Sequence, residues 1–234
     1  MKQKSPIPAF YLDDENAIRQ KFGGKSLTEI FEEIHRSNYW DTATTVSGPG
    51  SDPEQTATFI EALPALLQQY RVQSLLDAPC GDLSWAQKLD LRSFDYTGID
   101  IVAGIIEQNL MHYAQPNIRF EVGDLTRDHL PRVDLILCRD CLVHFSENNI
   151  RAALRNFVRS GSTWLLMTSF AGERAYREMP DGGWRPINFQ KDPFNLGPPV
   201  ETLIEGCTEL EGQYSDKALC LWPLSQIREA LTGN

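Results

Sequence analysis

No stretch of this chain strings together the ~18 apolar residues that a membrane-spanning helix requires. The opening residues, Met1 to Pro8, have no apolar core of signal-peptide length, so a cytoplasmic protein without membrane association is expected. Basic charge is also short: 22 Lys and Arg stand against 32 Asp and Glu, for a formal net charge of −10. Phosphate backbones are bound through clustered Lys and Arg, so nucleic acid is not an expected partner. The 5 cysteines are an odd count, which speaks for reduced thiols rather than a disulfide framework. Cys138 and Cys141 followed by His144 lack a second ligand cluster, and no metal is expected there. The glycine-rich GxGxxG turn is missing as well, which places a nicotinamide oxidoreductase last among the enzyme readings.

What the chain does have is a series of short apolar runs that each end in an acid. Ser74-Leu75-Leu76 leads into Asp77-Ala78-Pro79-Cys80-Gly81-Asp82. A buried strand delivers its last residue to the carboxyl edge of a sheet, where open α/β folds bind ligands. Gly81, without a Cβ, lets the backbone turn sharply or approach a ligand closely. Tyr96-Thr97-Gly98-Ile99 ends at Asp100, 23 residues beyond Asp77, which is one βαβ step. Nucleotide-binding sheets place an acceptor for ribose hydroxyls at about that interval. Ile118 to Val122 ends at Gly123-Asp124, and Val133 to Cys138 ends at Arg139-Asp140. Four such strands line one edge with acceptors, suited to a ligand carrying hydroxyls and an amino-purine.

Through these four motifs, the stretch from Val72 to Phe170 resembles the class I S-adenosylmethionine (SAM) dependent methyltransferases. The resemblance implies an α/β, Rossmann-like sheet, mostly parallel with an antiparallel last strand, and SAM as co-substrate. It also implies that Asp77, Ala78 and Gly81 cradle the methionine part of SAM and that Asp100 with Ile101 holds the ribose. Asp124 with Leu125 would meet the adenine, and Arg139 would complete the pocket. Pro79-Cys80 stand where the family turn usually carries more glycine.

The flanks read as additions to one domain. Residues 1–53 form an N-terminal arm: Asp13 to Phe22 and Leu27 to His35 look helical, and a Gly/Pro/Ser-rich loop from Thr42 to Pro53 follows. That arm would bring Tyr39 or Trp40 near the sulfonium. Residues 54–234 hold the SAM-binding domain. In it, Glu54 to Tyr70 is amphipathic, with a break expected at Leu63 before Pro64, and Trp85 is expected to open a helix back to the second strand. Ser146 is an N-cap for a helix with Ile150, Ala153, Leu154 and Phe157 on one face. Trp164 to Phe170 reads as the fifth strand and Ala218 to Trp222 as the closing one. Between them, 171–200 is a Pro-rich stretch of lid length carrying Tyr176, Trp184 and Arg185.

The function expected is methyl transfer to a small-molecule acceptor, with His144, Asp140 and Tyr176 as the catalytic candidates. The alternative needs the same SAM pocket but no acceptor: intramolecular cyclisation or a lyase reaction that releases methylthioadenosine.

Overall fold

Near-continuous apolar runs in the central strands bury both faces of one seven-stranded sheet in this computed structural model, which describes residues 7–42 and 45–233. The strands are β1 (Ser74–Asp77), β2 (Asp95–Asp100), β3 (Ile118–Val122), β4 (Leu135–Cys138), β5 (Trp164–Phe170), β6 (Glu201–Ile204) and β7 (Lys217–Pro223). Their order is β3-β2-β1-β4-β5-β7-β6. β1 to β5 pair in parallel, and β7 enters antiparallel to both β5 and β6. The order reverses between β1 and β4, which opens a crevice at their carboxyl ends.

The helices are α1 (Glu15–Phe22), α2 (Leu27–Ser37), α3 (Pro53–Gln69), α4 (Ala103–Tyr113), α5 (Glu147–Arg159), the single turn α6 (Glu209–Gly212) and α7 (Leu224–Thr232). Leu75, Leu135, Leu137 and Leu221 face Phe59, Leu63 and Leu67 of α3. Leu76, Ile136, Leu165 and Trp222 face Ile150, Leu154 and Phe157 of α5 and Ile227 of α7. Phe59 and Leu63 are fully buried, and each stabilises the packing by about 1.5–3 kcal/mol.

Two expectations are corrected. α3 runs unbroken past Pro64, because Leu63 and Leu67 pin the turns on either side of the exposed proline to the same core face. No α-helix joins β1 to β2; two 3-10 turns, Ala86–Lys88 and Leu91–Ser93, stand there. Asp82 accepts from the Ser84 amide at 3.1 Å and Asp90 from the Arg92 amide at 3.3 Å, local bonds that compete with helix formation. Residues 171–200, the stretch of lid length, are largely packed inward. Met179, Ile187, Phe189, Phe194 and Leu196 are all at most 2% exposed, so the stretch is built into the core.

The arm docks through the same stretch: Ile18 and Phe22 of α1 and Ile30 and Ile34 of α2 pack around Met179. α2 begins with a capping box between Ser26 and Glu29. Among the described residues, no helix is long and apolar enough to cross a membrane.

Candidate active site

The crevice holds two cavities. The first encloses about 900 Å³, counting the part open to solvent, and runs past Asp77 and Gly81 after β1, Asp100 and Ile101 after β2, and Asp124 and Leu125 after β3. Asp77 is 1% exposed and accepts a hydrogen bond from the Tyr96 hydroxyl at 2.7 Å. Asp100 accepts from the amides of Gly81 at 3.1 Å and Val102 at 2.9 Å, which ties the β1 turn to the end of β2. Gly81 has φ +55° and sits against Ser47, where a Cβ would strike the Ser47 hydroxyl.

Neither Asp77 nor Asp100 has an ion-pair partner among the described residues. Burial pushes Asp77 up to about 7 and Asp100 up to about 6. Two buried carboxylates left without a cation favour a ligand that brings an ammonium and hydroxyl donors. Asp124 accepts from the Thr126 amide at 2.8 Å, and its second oxygen lies 3.2 Å from Arg127, which is itself largely exposed. These acceptors fit the amino-acid and ribose parts of SAM, whose ammonium and hydroxyls donate.

The second cavity, of about 440 Å³ on the same measure, shares Ser47, Trp40, Asp140 and His144 with the first. Phe10, Tyr11, Phe170, Trp184 and Tyr214 supply aromatic walls, and Glu209 and Lys217 supply charge. His144 follows β4 in a short 3-10 turn and is 7% exposed. Its Nδ1 lies 2.9 Å from the Gly183 carbonyl, which only accepts, so Nδ1 carries the proton and Nε2 keeps its lone pair. Burial pushes the imidazole down to about 4 and keeps it neutral. The Trp40 ring lies 5.1 Å from it, with an Nε1–H that has no partner among the described residues.

Asp140 adopts a left-handed φ of 50°, its amide donating to Thr168 Oγ1 at 2.8 Å. One carboxylate oxygen accepts from Lys217 Nζ at 2.6 Å and lies 3.2 Å from Arg139. Burial alone would raise its pKa, but Lys217 and then Arg139 outweigh that and hold it at about 2. Arg139 donates to Glu205 at 2.7 Å and to the Gly50 carbonyl at 2.8 Å. Asp140 is therefore a fixed anion and a poor proton acceptor, whereas His144 is a neutral base.

Of the candidate catalytic and SAM-binding residues, all but two line these cavities. Ala78 is fully buried and lines neither cavity. Tyr176 also lines neither: its ring packs on Phe194 at 5.6 Å and its hydroxyl meets Glu178 and Arg185. Arg139 reaches the first cavity but has its guanidinium committed to Glu205, Gly50 and Asp140. Of the two arm aromatics, Trp40 reaches the cavities, while the Tyr39 hydroxyl donates to Asp13. Ser47, Tyr11, Glu205, Glu209, Tyr214 and Lys217 carried no signal in the sequence beyond their residue type. Cys138 and Cys141 are buried free thiols, and among the described residues no cluster of three or more His, Cys, Asp or Glu has the arrangement of a metal site.

Residues 75–161 match the family described as Methyltransferase domain. The fold built around that stretch is the class I, Rossmann-like one. No curated protein matches it significantly. Among solved structures, it is similar to PigF with SAH, with a TM-score of 0.60 and 14% identity over 88% of this chain and 64% of that one. Magnesium protoporphyrin IX methyltransferase (ChlM) from Synechocystis PCC 6803 with bound SAH gives 0.52 and 16% identity, over 90% of this chain and 99% of that one. Human N-acetylserotonin methyltransferase in complex with SAM gives 0.50 and 13% identity, over 92% and 59%. The chain thus spans less than two thirds of the length of PigF and of the human enzyme. At these identities the likeness is one of fold.

Proposed function

We propose that this protein transfers the methyl group of SAM to a small-molecule acceptor bound in the second cavity. The observation that carries the reading is that Asp140 and His144 line both cavities, so an acceptor and a sulfonium would meet at the same two side chains. Asp77 and Gly81 would hold the amino-acid part of SAM, Asp100 and Ile101 the ribose, and Asp124 and Leu125 the adenine. When bound, SAM supplies a methyl carbon made electrophilic by the sulfonium.

The chain's own residues then have three tasks. The cavity walls hold the acceptor's heteroatom in line, a contribution worth up to ~7–11 kcal/mol. His144 Nε2 receives the heteroatom's proton, adding about 10²–10⁴-fold. Asp140, held in place by Lys217 and Arg139, lines both cavities as a fixed group that does not compete for the proton.

The test is to incubate the protein with SAM, with and without candidate acceptors, and follow products by mass spectrometry. S-adenosylhomocysteine formed only when an acceptor is present is the expected result. Methylthioadenosine released from SAM alone would overturn the reading and turn the site to cyclising or cleaving SAM.

A further inference from the structure

The charge left over in the second cavity points to what it accepts, an inference that rests on the methyl-transfer reading. Tyr11, Trp184 and Tyr214 form one wall and pack on one another: ring centroids are 4.9 Å apart for Tyr11 and Trp184 and 4.8 Å for Trp184 and Tyr214. Tyr11 and Tyr214 lie 6.2 Å apart with their planes inclined by 18°. Glu209, on α6, borders the same wall and accepts the Tyr11 hydroxyl at 2.8 Å.

Among the charged side chains that line this cavity, one anion is left over; Arg177, a cation nearby, is exposed and acts on Tyr214 from outside the lining. Asp140 is matched by Lys217, and Arg139 by Glu205, so that quartet is balanced. Glu209 has no ion-pair partner among the described residues. Its hydrogen bonds come from neutral donors, the Tyr11 hydroxyl and the Cys207 thiol. Arg174 lies 5.3 Å from the Tyr214 ring but is already paired with Asp216. A carboxylate without a cation beside three aromatic rings attracts positive charge twice over, through its own field and through the negative ring faces. An anionic acceptor would meet repulsion from Glu209, and a neutral one would leave that charge unanswered.

We propose that the acceptor is a small organic cation: an ammonium on an apolar body, its charge seated against Tyr11, Trp184, Tyr214 and Glu209. A second group, a hydroxyl or a neutral amine, would face His144. In the transfer, that group's lone pair forms the bond to the methyl carbon while the carbon–sulfur bond breaks and its electron pair returns to sulfur. The proton of the attacking group passes to His144 Nε2. The seated ammonium takes no part in bond making.

The test is calorimetric titration of the protein saturated with S-adenosylhomocysteine, using three probes of matched shape: 2-phenylethylamine, 2-phenylethanol and phenylacetate. The ammonium probe is expected to bind about tenfold more tightly than the alcohol, with phenylacetate weakest. Glu209→Gln should erase the preference while S-adenosylhomocysteine binds as before, which also shows that the variant folds. Trp184→Leu should weaken the ammonium probe in the same way. Equal binding of the three probes, or tightest binding of phenylacetate, overturns the cationic acceptor and leaves methyl transfer standing. Failure of S-adenosylhomocysteine itself to bind overturns both.

Discussion

Lys217 Nζ and Asp140 Oδ2 lie 2.6 Å apart, two buried ends of one ion pair that joins β7 to the turn after β4. Arg139 and Glu205 complete the group, so each charge is answered inside the protein. Removing one partner of a buried pair leaves the other uncompensated, and Lys217→Met is expected to cost about 3 kcal/mol in urea denaturation. A loss within experimental error would mean that the quartet does not hold β7 in place. Asp140 has a lowered pKa, so its contribution is present above the unfolded value of ~3.9 and is lost as pH falls through about 2. In Lys217→Met that acid loss should begin at higher pH.

Asp77 behaves in the opposite sense. Burial raises its pKa to about 7, so between ~3.9 and 7 the folded state holds a proton that the unfolded state releases, and stability falls as pH rises through that window. Asp77→Asn keeps an acceptor for the Tyr96 hydroxyl without the charge. The variant is expected to gain a few kcal/mol, about 2–4, at pH 8 and nothing near pH 4. It should also bind SAM more weakly, because an amide does not pair with an ammonium. Thermal melts across pH and calorimetry with SAM check both halves; a destabilised variant at pH 8 would show that the ionised carboxylate is not strained in the free protein.

The residues legible in the sequence are those that a strand end positions. Asp77, Asp100 and Asp124 each close or follow an apolar run, and a parallel sheet brings such ends to one edge whatever the rest of the chain does. His144 and Asp140 follow β4 by the same logic. Lys217 was not legible, because it meets Asp140 across 77 residues through an antiparallel pairing that no local pattern specifies. Tyr176 and Trp184 look alike in the sequence. The backbone between them is irregular, with no period to say which side chain turns inward, and only Trp184 reaches the cavity. The helix expected after Trp85 is absent because Asp82 and Asp90 hold backbone amides in turns.

His144 should act as a base without an acid limb near its ordinary value. With its pKa pushed down to about 4, it is neutral at every pH above about 5. For an acceptor whose nucleophile does not titrate between pH 4 and 8, and with SAM saturating so that Asp77 and Asp100 are already engaged, kcat/KM for the acceptor is expected to stay flat from pH 8 to about 5. His144→Gln is expected to lose about 10²–10⁴-fold in rate with S-adenosylhomocysteine binding retained. An inflection near ~6.5 would show a hydrated imidazole in place of a buried one. Near-full activity of His144→Gln would remove it from the proton path.

Asp82 fastens the N-terminal arm over the first cavity. Its carboxylate accepts from Thr45 Oγ1 at 2.7 Å, from the Val46 amide at 3.0 Å and from Ser47 Oγ at 3.3 Å, while its own amide donates to Ser47 Oγ at 3.1 Å. These bonds join the loop that carries Ser47 to the residue after Gly81, directly beside the amide that Asp100 holds. Asp82→Ala takes away three hydrogen bonds that the loop donates, worth about 0.5–1.5 kcal/mol each. Local opening should therefore rise before global stability falls. Faster amide exchange at 45–52 and at least about tenfold faster release of S-adenosylhomocysteine in stopped flow are expected, with a melting temperature only a few degrees lower. Unchanged exchange at 45–52 would show that the arm is held by the packing of Trp40 and Ser51 alone, and that the Asp82 bonds follow closure without causing it.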